Sequence, residues 1–86
     1  MPRDKKIVEK ILSGKSDANI NFNDLINFLL SLGFEVRTRG SHNIFRKDGI
    51  EEKINLQKDG NNAKPYQIKQ IRNILLSHLT QKVIIA

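Results

Sequence analysis

The sequence predicts an α+β fold arranged as a two-layer sandwich, and three observations carry that prediction. A helical apolar period across residues 22–32 gives way after Gly33 to alternation of apolar and charged residues. Two turn signals, Gly40-Ser41 and Asp48-Gly49, then divide the alternating stretch into three short strands. A second helical stripe opens at Pro65. Three strands with one apolar face need a cover, and the two striped helices can supply it.

The first element is a short helix over residues 4–13, where Ile7, Val8, Ile11 and Leu12 fall at helical spacing and Gly14 stops the run. The polar residues 13–20 that follow predict a linker and a loosely attached helix. The second helix, residues 22–32, has Asn21 as its cap, with Asp24 three residues on as in a capping box. Ile20 and Leu25 stand at the hydrophobic-staple positions, and Gly33 suits the left-handed residue beyond the C-terminus. In "FEVRTR", Phe34, Val36 and Thr38 alternate with Glu35, Arg37 and Arg39, giving a strand with a charged outer face. "HNIFRK" is the second strand and "IEEKINLQ" the third, with Ile50, Ile54 and Leu56 on one face and Glu52 as the exception. Residues 58–64 are predicted to be a polar loop. Pro65 fits the first turn of a helix, where its missing N–H leaves no bond unmade. Ile68, Ile71, Leu75 and Leu79 form its stripe, broadened by Ile74 and Leu76, with Tyr66 packing at its start. The division expected is an N-terminal helical extension and linker at 1–19, a main domain at 20–81 and an apolar tail at 82–86.

At 86 residues the chain is one domain, and a chain this short buries only about 60% of its unfolded surface. With no cysteine, neither a disulfide nor a thiolate metal site can reinforce that core. The charged start "MPRDKKIVEKIL" is no secretory leader, and no apolar run approaches the ~20 residues of a membrane span, so a cytoplasmic location is expected. Fifteen Lys and Arg against nine Asp and Glu give a net charge of +6, which favours a polyanionic partner such as nucleic acid or an acidic protein.

The chemistry-bearing stretch is "TRGSHNIFRKDG", residues 38–49. An imidazole titrates near neutrality, so His42 can take or give a proton there, and Arg37, Arg39, Arg46 and Lys47 flank it in paired strands. Read from spacing alone, His42 is a surface residue, a packing residue or a proton-transfer group. Ser41 and His42 do not form a nucleophile–base pair, since neighbours in a strand point to opposite faces. The two histidines, His42 and His78, lack metal-ligand spacing, so no metal cofactor is expected. Parity sets His42 with Ile44, and an accessible His42 therefore belongs at the strand's end, with Phe45 on the open face beside Asn43 and Lys47. His78 is expected at the helix margin, solvated or against the core.

"NFNDLINFLLSLGFEVRTRGSHNIFRKDG" followed by "KPYQIKQIRNILL" resembles the HicA toxin family of bacterial toxin–antitoxin systems, across about residues 20–80. The carrying features are the helix ending in "LGFEV", the "GSHNIFRKDG" core and the Ile-rich final helix. The resemblance implies a double-stranded-RNA-binding-like α-β-β-β-α fold with an extra N-terminal helix. It implies a metal-independent endoribonuclease that cleaves messenger RNA in a stress response, inhibited by a HicB-type antitoxin. The family's catalytic histidine falls on His42. Arg37, Arg39, Ser41, Phe45, Arg46 and Lys47 are then the expected RNA contacts, Phe45 by stacking on a base, with packing under the first helix or a partner as the alternative for that ring. Two other functions fit the residues: a non-catalytic binder of structured RNA, and a domain that binds only protein. Against duplex binding, the final helix offers just Lys69 and Arg72, with Lys64 before it. Residues 1–19 and the terminal "VIIA" read as docking surfaces or as packing additions.

Overall fold

A computed structural model describes the backbone of residues 2–85 and the side chains of residues 6–78. The order is α1 (Pro2–Ser13), a single 3₁₀ turn (Asp17–Asn19), α2 (Phe22–Ser31), β1 (Glu35–Arg39), β2 (His42–Lys47), β3 (Ile50–Leu56), β4 (Lys58–Asp59), β5 (Asn62–Ala63) and α3 (Pro65–Ile85). Strands β1, β2 and β3 form one antiparallel sheet in sequence order. The fold is α+β, with the α-β-β-β-α arrangement of the double-stranded-RNA-binding type and a helix before it.

The helices start and stop where backbone chemistry says they should. The Asn21 side chain accepts a bond from the Asp24 amide at 3.0 Å, which satisfies one of the first-turn N–H groups of α2. Gly33, with φ of +95°, takes the left-handed conformation that ends the helix. Ile20 and Leu25, the staple pair, are both buried. From α3 the stripe Ile68, Ile71, Ile74 and Leu75 packs inward, while Leu76 stays exposed. Tyr66, expected to pack at the start of α3, is exposed, because position 66 points away from that stripe. Leu79 and the apolar residues 83–86 lie outside the residues whose side chains are described.

One layer of side chains from the sheet meets the helices. Phe45, Ile54 and Leu56 are fully buried there, together with Phe22, Leu25, Phe28 and Leu29 of α2 and the stripe of α3. The expectation of a loose first helix is corrected. Ile7 and Ile11 join the same core. The Arg72 guanidinium of α3 donates to Asp17 at 2.9 and 3.1 Å and to the Ile11 carbonyl at 3.0 Å, tying the N-terminal arm to the last helix. The bond to the Asp17 carboxylate raises the Arg72 pKa further above its ordinary value.

The expected polar loop at 58–64 is also corrected. It is a small hairpin, β4 against β5, turning at Gly60 with φ of +64°. It docks on the entry to α2: Phe22 N donates to Asn61 O at 2.9 Å and Ala63 N to Ile20 O at 3.0 Å. Buried Ala63 completes the core under it.

Candidate active site on the open face of the sheet

The site follows from register. Arg39 pairs with His42, Arg37 with Ile44 and Glu35 with Arg46 across β1 and β2. Val36 pairs with Phe45, and Thr38 with Asn43. Directly opposed residues share a face, so the two sets part cleanly. Val36, Phe45, Thr38 and Asn43 take the helix side, where Phe45 is buried, Asn43 half-buried, and Val36 and Thr38 on the edge strand stay exposed. His42, Ile44, Arg37, Arg39 and Arg46 face away, onto a side that no helix covers among the described residues.

This overturns one expected contact. Phe45 has no exposed surface and sits in the core opposite Ile54, so it cannot stack on a base. The alternation was anchored on the wrong member: Phe45 takes the inner face and half-buried Ile44 the outer one. A phenyl ring removes more area from water than the isoleucine, and the inner face is where that area is covered.

His42 opens β2, immediately after the two-residue turn at Gly40-Ser41, and is exposed. Gly40 has φ of +57°, a conformation that such a turn requires at its first central position and that a side chain would oppose. Arg37, Arg39 and Arg46 are exposed, and among the described residues none of them makes an ion pair. Arg37 and Arg46 line a groove of about 590 Å³ at the far end of the sheet, with Gly33, Glu35, Asp48 and Ile50. Lys47 reaches that groove from the helix side. It is half-buried, and its Nζ lies so close over Gly33 that a Cβ there would come within 2.7 Å.

Asn55 contacts His42, and Gln57, Lys64 and Gln67 brace the turn before it. The His42 Nδ1 lies 3.3 Å from Oδ1 of Asn55. The Ser41 hydroxyl accepts from Nε2 of Gln57 at 3.2 Å, and Oε1 of Gln57 accepts from Nζ of Lys64 at 3.3 Å. Buried Gln67 accepts from the backbone amides of Gln57 and Lys64, both at 3.4 Å. Asn55 was within reach of sequence reasoning. The Asp48-Gly49 turn sets Lys47 opposite Ile50, and counting back from it puts Asn55 on the face of His42. The irregularity between Phe45 and Lys47 slides β3 by two residues, which preserves the face.

His78 lies apart from this group, half-buried on α3, with Nε2 3.6 Å from Oε1 of Glu52. No group of three or more His, Cys, Asp or Glu able to hold a metal occurs among the described residues. Nor is any described helix long and apolar enough to cross a membrane.

The model of a family described as the HicA toxin of bacterial toxin–antitoxin matches residues 22–79, which runs from the start of α2 to within α3 and includes all five strands. No curated protein and no solved structure matches the chain.

Proposed function

The chain belongs to the HicA toxin family of bacterial toxin–antitoxin systems, and from that premise we propose that it is a cytoplasmic endoribonuclease acting on messenger RNA, with His42 as its proton-transfer group and a HicB-type antitoxin as its inhibitor. The observation that carries this reading is the exposed imidazole at the head of β2, opposite Arg39 and on the same uncovered face as Arg37 and Arg46.

Cleavage of RNA through its own sugar needs three things of a protein. A proton leaves the 2′-hydroxyl, charge on the five-coordinate phosphorus is neutralised, and the departing 5′ oxygen is protonated. His42 can serve a proton step, a contribution of about 10²–10⁴-fold. The guanidinium groups of Arg37, Arg39 and Arg46 offer planar forks that match phosphate oxygens, and among the described residues they are not committed to carboxylates. Ser41 sits at the turn beside the imidazole, where its hydroxyl can meet the sugar–phosphate backbone. Phe45 takes no part, and Lys47 contributes only to the rim of the groove. Of the basic residues in α3, Arg72 is already bonded to Asp17 and Ile11, which weakens the alternative of a duplex-binding module on that helix.

The deciding measurement is cleavage of a single-stranded RNA at pH 7 by the wild-type protein and by His42→Ala. Loss of cleavage by about 10²-fold or more in a normally folded variant is expected. An undiminished rate removes His42 from the chemistry. Salt-sensitive RNA binding with no cleavage by either protein replaces the enzyme with a binding domain.

A further inference from the structure

We propose, resting on the ribonuclease reading, that Asn55 is a positioning residue: it holds the neutral His42 ring with its proton on Nδ1, so that Nε2 is the base that receives the 2′-hydroxyl proton. The amide oxygen Oδ1 of Asn55, 3.3 Å from Nδ1, only accepts hydrogen bonds. Nδ1 therefore donates. A neutral imidazole has one N–H, and with that hydrogen on Nδ1 the lone pair is on Nε2. Without a partner, a histidine ring favours the opposite tautomer, with hydrogen on Nε2. The bond to Asn55 thus reverses a default, and it does so at an exposed ring that packing does not otherwise hold.

Asn55 can do this because its own place is fixed. It lies between Ile54 and Leu56, both fully buried, and opposite Ile44 in the β2–β3 ladder. The turn on the other side of His42 is fixed as well. Gln57 holds the Ser41 hydroxyl while Lys64 holds Gln57, and Gln67 bonds the backbone of both. The imidazole is gripped from β3 at one nitrogen and carried by a tethered turn, with Nε2 left to the substrate.

Nε2 takes the 2′-hydroxyl proton as the 2′ oxygen bonds to phosphorus. The phosphorus–5′-oxygen bond breaks with its electron pair on the 5′ oxygen, which takes a proton from water. The products are a 2′,3′-cyclic phosphate and a 5′-hydroxyl, and the imidazolium returns its proton to solvent.

The test is long-range ¹H–¹⁵N correlation of the His42 ring in the folded protein, at a pH where the ring is neutral. The wild-type protein is expected to show hydrogen on Nδ1. In Asn55→Ala the ring moves to the Nε2–H form, and in Asn55→Asp, which offers only oxygens, the hydrogen stays on Nδ1. Asn55→Ala also lowers kcat by about tenfold or more with KM little changed, the scale on which a partner orienting a functional imidazole acts. Hydrogen on Nε2 in the wild-type ring, or an Asn55→Ala ring still protonated on Nδ1, overturns the assignment. The nuclease reading is judged separately: a His42→Ala variant that cleaves at the wild-type rate sinks that reading, while the ring spectra still decide whether Asn55 sets the tautomer.

Discussion

Phe45 and His42 are three positions apart and answer to different forces. Phe45→Ala leaves a cavity where Ile54 and the helices meet, and a loss of about 3–5 kcal/mol is expected from urea unfolding. Cleavage per folded molecule should be unaffected, because the ring never reaches the open face. His42→Ala should do the reverse, leaving the unfolding curve where it was and abolishing turnover. The place of His42, exposed at the head of its strand, was legible because the Gly40-Ser41 turn immediately precedes it. The orientation of Phe45 was not, because "HNIFRK" places two large apolar residues side by side and alternation alone does not say which faces inward. Only the register against β1 and β3 decides it. The link among Gln57, Lys64 and Gln67 escaped notice for a related reason: each is an ordinary polar residue until the chain folds, and the bonds that join them span three to ten positions of sequence.

The elements themselves were written more openly. Their signals are local: a cap, a change of period, a turn dipeptide. Asn21 serves α2 through a single bond to the Asp24 amide, and Asn21→Ala should cost about 1 kcal/mol in the same unfolding assay. Strand β2 was legible to the residue, since turns bound it on both sides. The β4–β5 hairpin was missed although Asp59-Gly60 repeats the dipeptide of the earlier turn. Two-residue strands have no alternation to display, and this pair is held by its bonds to the segment before α2, which no local pattern announces. The backbone of α3 runs to Ile85, into the residues 82–86 that were read as an apolar tail.

At the scale of the molecule, the N-terminal arm lies outside the matched residues 22–79 yet belongs to the same core. Ile11→Ala should therefore lower stability by about 2–5 kcal/mol, as in any core, a result that a detachable arm would not give. The open face makes a second prediction for the whole protein. With Arg37, Arg39 and Arg46 each meeting a phosphate, the logarithm of affinity for single-stranded RNA should fall with the logarithm of salt at a slope of about −2, and replacing all three with glutamine should flatten it. The helical layer lies on one side of the three-stranded sheet, so only one thickness of backbone separates the apolar interior from the cationic exterior. Mutational phenotype ought then to flicker along β2: odd-numbered positions would report in the solubility of the expressed protein, even-numbered ones in the survival of a host that makes it.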